Sequence, residues 1–95
     1  MSDLSRCRGA AIVSGRVQGV GFRHAACTAA RALRLTGYVC NAADGTVRTV
    51  AEGPVQRVRA YLVWLRQGPP GGFVADVQWD EAPWLDEFHR FEITW

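Results

Sequence analysis

The sequence predicts an α+β domain on the split β-α-β plan, in which two helices cover one face of a mostly antiparallel sheet. Short β-compatible runs alternate with two stretches of helical spacing in the order β-α-β-β-α-β, and a terminal strand follows. An Asp-Gly pair between the second and third strands is typical of a hairpin. Clusters of glycine and proline separate the later elements.

The first strand is predicted over Arg8 to Ser14, a short apolar run that ends at Gly15. Its apolar character on both faces is typical of a central strand. The first helix is predicted from Phe22, because small and apolar residues recur at the spacing of one helical face. These residues are Phe22, Ala25, Ala26, Ala29, Ala30 and Leu33.

Two β-rich runs, Thr36 to Asn41 and Thr46 to Glu52, are predicted to pair as an antiparallel hairpin across the turn at Asp44-Gly45. Gly53-Pro54 ends the third strand. A second helix follows and ends near Gly68. Its apolar residues repeat at helical spacing and are Val55, Val58, Tyr61, Leu62 and Leu65.

The fourth strand is predicted over Phe73 to Trp79, where apolar and polar residues alternate after a proline and glycine cluster. Asp80 to Glu87 is acidic and contains Pro83, so a turn-like loop is expected there. Phe88 to Trp95 alternates again and predicts a last strand at an edge of the sheet.

Composition favours one soluble domain over residues 1–95, with a loose N-terminus over residues 1–6. No apolar run reaches the roughly 18 residues of a membrane span, and no signal-peptide pattern is present, so a cytoplasmic protein is expected. A monomer is the default for this size. The formal charge is +2, and eleven arginines are dispersed among nine acids, which disfavours a broad surface for nucleic acid.

The three cysteines, Cys7, Cys27 and Cys40, form no close pair in the sequence. Together with His24 and His89 they lack the spacing of metal ligands, so free thiols in a reducing compartment and no metal site are expected. A contact between Cys7 and Cys40 across neighbouring strands stays open.

The stretch from Gly15 to Arg23 indicates an anion site between the first strand and the first helix. Three glycines within seven positions allow positive φ, and the turn leads into a helix N-terminus. Successive N–H groups and the guanidinium of Arg23 suit phosphate oxygens. The spacing matches neither familiar nucleotide loop, so nucleotide binding is not supported. The alternative is that the glycines only shape a tight connection.

With the elements placed, the sequence resembles the acylphosphatase family over nearly its whole length. The fold that this resemblance implies is the ferredoxin-like split β-α-β plan predicted above. The implied activity is hydrolysis of the carboxyl-phosphate bond of small acyl phosphates, with inorganic phosphate as a product. The matching segments are Gly15-Arg16-Val17-Gln18-Gly19-Val20-Gly21-Phe22-Arg23, Leu35-Thr36-Gly37-Tyr38-Val39-Cys40-Asn41, Asp44-Gly45 with Val47 after it, Glu52-Gly53 and Gly68-Pro69-Pro70.

The resemblance also implies the roles of particular residues, and it implies no metal and no cofactor. The phosphoryl group is expected on Arg23 and on the backbone N–H groups of Gln18, Gly19, Val20, Gly21, Phe22 and Arg23. Asn41 is expected to position the attacking water. Cys40 departs from the family pattern, since many members carry a basic residue before the asparagine.

Two other functional classes stay open. The same plan hosts modules that bind single-stranded RNA on sheet aromatics, and a non-catalytic sensor would keep an anion cradle without turnover. The run Thr46 to Glu52 carries no aromatic residue, which disfavours RNA. His24 adjoins Arg23, but neighbouring residues on a helix point apart. We therefore expect His24 at the surface and not as a general base.

Overall fold

The computed structural model describes residues 5–94 and confirms the predicted order of helices and strands. Two helices pack on a five-stranded mixed sheet with the strand order β4-β1-β3-β2-β5. This is the expected ferredoxin-like α+β fold. The elements are β1 (Arg6–Arg16), α1 (Phe22–Ala32), β2 (Thr36–Asn41), β3 (Val47–Pro54), α2 (Val55–Gln67), β4 (Phe73–Pro83) and β5 (Phe91–Thr94).

The core lies between the sheet and the two helices. Alternate residues of β1 are buried, as expected for a strand whose one face meets the helices. From α1 the core receives small side chains such as Ala26 and Ala30, which let the helix approach the sheet closely. From α2 it receives Val58, Tyr61 and Leu65. The Tyr61 hydroxyl lies 2.8 Å from Thr49 Oγ1, so this buried phenol is hydrogen-bonded.

Strands β1 and β2 finish at the same end of the sheet. Both strands run antiparallel to β3, and both Val13 and Asn41 are paired in register with Val47. The segments that follow the two strands therefore emerge at the same end of the sheet, one on each side of β3. Strand β5 pairs in parallel with β2 and forms an edge, as predicted.

The prediction of a loop over Asp80 to Glu87 is wrong for the first half of that segment, because β4 continues to Pro83. The reason is the register with β1, which continues past Trp79: Ala10 opposes Asp80, and Cys7 opposes Pro83. Strand β1 itself begins at Arg6 and not at Arg8. Pro83 is tolerated there because β4 is an edge strand. Residues 1–4 of the expected loose N-terminus lie outside the described residues.

The last strand begins at Phe91, three residues later than predicted, and Trp95 lies outside the described residues. The delay follows from a buried carboxylate at the end of β3. Glu52 accepts hydrogen bonds from the backbone N–H groups of Leu85 at 2.7 Å and Glu87 at 2.9 Å. These bonds hold the segment before β5 against the end of the sheet.

All three cysteines lie within residues 5–94 and are free. The contact considered between Cys7 and Cys40 is wrong, because β3 separates the strands that carry them.

Among the residues that the structure describes, no helix is long and apolar enough to span a membrane. Over the same range, His, Cys, Asp and Glu side chains form no group of three that could hold a metal ion.

Candidate active site

The turn between β1 and α1 is shaped by glycines with positive φ. Gly19 has a φ of 74° and Gly21 a φ of 78°, both in the left-handed region that favours glycine. Gly21 directly precedes α1, and its carbonyl accepts the hydrogen bond from Ala25 N at 3.1 Å. Because Gly21 has no side chain to cap the helix, the first amide groups of α1 receive no bond from it. They are suited to an anion.

Glycine is required at different positions of the turn for different structural reasons. A Cβ at Gly15 would lie 2.2 Å from the backbone oxygen of Phe73, so packing against β4 requires glycine there. A Cβ at Gly19 or Gly21 would meet nothing within 4 Å. Those two positions require glycine for their backbone conformation, and they leave the space beside the turn open.

The side chain of Gln18 ties the turn to the residues that follow Asn41. Its Nε2 atom donates to the carbonyl oxygen of Ala42 at 2.8 Å and to that of Thr46 at 2.9 Å. The β2–β3 connection is itself closed by a hydrogen bond from Ala42 N to Thr46 O at 2.8 Å. One amide group therefore fixes the separation between the glycine turn and the end of β2.

The β2–β3 connection is held by Asp44. Its Oδ1 atom accepts from the Thr46 hydroxyl at 2.6 Å and from the Thr46 backbone N–H at 3.1 Å. These two bonds, the hydroxyl first, lower the pKa of Asp44 because they favour its ionised form. The turn next to Asn41 is thus a closed, hydrogen-bonded unit.

Asn41, the last residue of β2, carries a buried acceptor that points to a ligand. Within residues 5–94, its Oδ1 atom is shielded from solvent and accepts no hydrogen bond. A buried polar atom in that state costs about 1–3 kcal/mol and is rare in native proteins. The carbonyl oxygen of an amide accepts but cannot take up a proton at neutral pH. Asn41 is therefore suited to hold a water molecule.

Arg23 is the second residue of α1 and is half-buried, with its Nη1 atom shielded from solvent. The predicted phosphate-binding residues, Gln18 to Arg23, form one continuous turn and helix start at the edge where β2 ends at Asn41. His24 is exposed, as predicted.

The role of the Gln18 side chain was missed by sequence reasoning, which assigned only its backbone N–H to the site. A glutamine among glycines and apolar residues was the available signal. Its partners, Ala42 and Thr46, follow 24 and 28 residues later, and only the sheet topology brings them close.

A model of the family described as Acylphosphatase matches residues 9–93. An acylphosphatase of Burkholderia cenocepacia strain HI2424 is 46% identical over 80 residues, which cover 84% of this chain and 82% of that protein. An acylphosphatase of Syntrophotalea carbinolica is 48% identical over 81 residues, 85% of this chain and 88% of that protein.

Two solved structures are similar over almost all of the chain. The acylphosphatase from Bacillus subtilis superposes with a TM-score of 0.90 at 37% identity and covers 94% of this chain and 99% of its own. An acylphosphatase from Coxiella burnetii superposes with a TM-score of 0.92 at 33% identity and covers 99% and 98%.

Proposed function

The chain belongs to the acylphosphatase family, and we propose that it hydrolyses the carboxyl-phosphate bond of small acyl phosphates to a carboxylate and inorganic phosphate, without a metal or cofactor. The observation that carries this proposal is the buried Oδ1 atom of Asn41, which accepts no hydrogen bond within residues 5–94. It lies where an attacking water is needed, beside a turn that suits a phosphoryl group.

The phosphoryl group binds to the backbone N–H groups of Gln18, Gly19, Val20, Gly21, Phe22 and Arg23 and to the guanidinium of Arg23. The positive φ of Gly19 and Gly21 and the start of α1 at Phe22 support this assignment, because such a turn directs successive N–H groups at one point. Arg23 adds paired donors that match phosphate oxygens.

Asn41 orients the water through its Oδ1 atom. The water oxygen forms a bond to phosphorus, the bond between phosphorus and the acyl oxygen breaks, and the carboxylate leaves with the electron pair. The proton of the water passes to a phosphate oxygen of the substrate, because an amide is not a base at neutral pH. An acyl phosphate already has a good leaving group, so positioning and charge stabilisation suffice.

We also propose that the protein is a monomer of the cytoplasm. The free thiols of Cys7, Cys27 and Cys40 support a reducing compartment. The partners are then a small acyl phosphate and the inorganic phosphate released from it, and neither nucleic acid nor a membrane is required.

The test is phosphate release from acetyl phosphate by the whole chain and by three variants. Arg23→Ala and Asn41→Ala are expected to lose most of the turnover, whereas Arg66→Ala, in the last turn of α2, is expected to keep it. Retained turnover in both of the first two variants would contradict the residue assignments. Tight phosphate binding without any turnover in the wild type would favour the sensor instead.

A further inference from the structure

The loop between α2 and β4, residues 68–72, lies against both ends of the glycine turn. A Cβ added at Gly72 would lie 3.3 Å from the backbone oxygen of Arg16, the residue with which β1 ends. A Cβ added at Gly68 would lie 3.1 Å from Cε2 of Phe22, the residue with which α1 begins. The mechanism above gives this α2–β4 loop no role, although it is in direct contact with the site.

The α2–β4 loop is stiff. Pro69 and Pro70 have backbone φ angles that are fixed by their rings. The backbone N–H of Gly72 donates to the carbonyl oxygen of Pro69 at 3.2 Å, and that of Gly68 donates to the carbonyl oxygen of Trp64 in the last turn of α2 at 2.9 Å. A loop closed in this way can hold a neighbouring segment in place.

The end of the turn that leads into α1 is held by the same part of the molecule. The ring of Phe22 is buried and meets the ring of Trp64 edge-on, with 5.5 Å between the ring centroids. The backbone N–H of Phe22 is one of the proposed phosphate-binding groups. The packing of its ring against α2 and Gly68 therefore fixes where that donor lies.

The α2–β4 loop and the side chain of Gln18 hold the turn from opposite sides. In the sheet, β4 lies on one side of β1, and β3 and β2 lie on the other. Gly72 directly precedes β4, whereas Gln18 donates to the β2–β3 connection, which follows Asn41. A side chain added at Gly72 would therefore displace Arg16 and the turn after it toward the β2–β3 connection.

From these contacts, and resting on the proposed function, we propose that Gly72 is a positioning residue for the hydrolysis of acyl phosphates. It touches neither the substrate nor the water. Because it has no side chain, the α2–β4 loop closes on the backbone of Arg16 and sets the distance between the turn and Asn41. Reacting groups have to be held within about 0.5 Å of the productive geometry, so a small displacement of the turn lowers turnover.

The test compares Gly72→Ala with Gly71→Ala, two substitutions in the same loop with opposite structural consequences. Gly72 lies outside the positive-φ region, so alanine acts there through its contacts, of which the closest is with the Arg16 oxygen. Gly71 has a φ of 88°, and an added Cβ would meet nothing within 4 Å. Alanine at Gly71 therefore strains only its own backbone.

We expect Gly72→Ala to lower kcat for acetyl phosphate about fivefold and to keep the inhibition constant of inorganic phosphate within about twofold. The reason is that the turn moves as a unit, so its own donors keep their arrangement while their distance from Asn41 changes. Gly71→Ala is expected to keep both constants and to lower the melting temperature by about 4–8 °C.

Gly72→Ala should lower the melting temperature less than Gly71→Ala does, because alanine at an unstrained position also restricts the unfolded chain and offsets part of the overpacking. The loss of turnover and the larger loss of stability thus belong to different variants. A merely structural role of the loop would place both losses in the same variant.

An unchanged kcat in Gly72→Ala, or an equal fall of kcat in Gly71→Ala, would overturn the positioning role while the proposed function stands. So would a loss of phosphate affinity in Gly72→Ala as large as its loss of turnover. No release of phosphate from acetyl phosphate by the folded wild type would overturn the proposed function itself and this inference with it. Circular dichroism shows that each variant is folded under the assay conditions.

Discussion

Gln18 and Ala42 are joined by a 2.8 Å hydrogen bond from the side-chain amide of one to the backbone carbonyl of the other. This bond connects the glycine turn to the residue after Asn41. The same nitrogen donates to Thr46 O, so a single side chain contacts both ends of the β2–β3 connection. The distance between the backbone amides of the turn and the side-chain amide of Asn41 depends on it.

Replacing Gln18 with leucine keeps the volume of the side chain and removes both donors. We expect the free energy of unfolding to fall by about 1–2 kcal/mol, since each acceptor keeps a second backbone partner. We expect kcat for acetyl phosphate to fall about tenfold or more, because the water and the phosphoryl group lose their fixed geometry. Gln67→Leu, at the exposed end of α2, is the control. Equal kcat in the two variants would contradict the bridging role.

Substitutions of Arg23 and Asn41 are expected to change different kinetic parameters. Arg23→Ala should weaken inhibition by inorganic phosphate by about 1.5–3 kcal/mol, because it removes a charged hydrogen-bond donor from the anion. Asn41→Ala should keep that inhibition and lower kcat by about a hundredfold, as does the loss of other preorganised polar groups. Steady-state kinetics with phosphate as inhibitor separates the two effects. The same loss of phosphate affinity in both variants would contradict the assignment of separate roles to Arg23 and Asn41.

Gly15 and Gly19 are expected to differ in stability when replaced by alanine. At Gly15 the new methyl group would meet the Phe73 oxygen at 2.2 Å, so strain and overpacking together should cost about 2–5 kcal/mol. At Gly19 the methyl group has open space, and the left-handed backbone alone should cost about 1–2 kcal/mol. Urea unfolding of both variants measures the difference. A smaller loss at Gly15 than at Gly19 would contradict the packing argument.

Glu52 is expected to affect stability without affecting catalysis. Glu52→Ala leaves the N–H groups of Leu85 and Glu87 without their acceptor and should cost about 3 kcal/mol. Turnover of the folded variant should stay near that of the wild type, because Glu52 lies at the end of β3 away from Val47. Glu87→Ala, which removes a surface ion pair with Arg8, should cost less than about 1 kcal/mol. Similar losses in the two variants would refute the anchoring role.

The hydrogen bonds to Asp44 predict an acid-dependent stability. Because its pKa is lowered in the folded protein, the stabilisation is complete above the ordinary pKa of Asp, near pH 4, and is lost as pH falls through the lowered value. Asp44→Asn should therefore be less stable than the wild type at neutral pH, and the gap should narrow as pH falls below the ordinary pKa of Asp. Denaturant midpoints at neutral pH and in acid test this; a gap that widens in acid would have the wrong sign.

Elements with a clear period were predicted well from the sequence. The start of α1 at Phe22 and the bounds of β2, Thr36–Asn41, match the structure because glycine and apolar spacing mark them locally. The glycine turn was also identified, since its conformation depends on residues that adjoin in the chain. Local sequence patterns of this kind predict the structure correctly when no contact with a distant residue favours another conformation.

The remaining features depend on partners far apart in the sequence. The extension of β4 to Pro83 required knowledge of its register with β1, in which Cys7 opposes Pro83. The late start of β5 follows from Glu52, which contacts backbone groups 33 and 35 residues later. At the site, Gln18 was assigned for its backbone alone. In each case a polar side chain or an edge register selects among conformations that are equally compatible with the local sequence.

The positive-φ glycines of the turn also bear on protein engineering. Anion recognition that uses peptide groups is encoded by dihedral angles, so it transfers with the backbone shape and tolerates drift at intervening side chains such as Val20. A graft of this turn onto another junction between a strand and a helix requires Gly15, Gly19 and Gly21 together with a strut equivalent to Gln18. Without a side chain equivalent to Gln18, the grafted amides would still point at one site, but no hydrogen bond would fix their distance from the neighbouring segment.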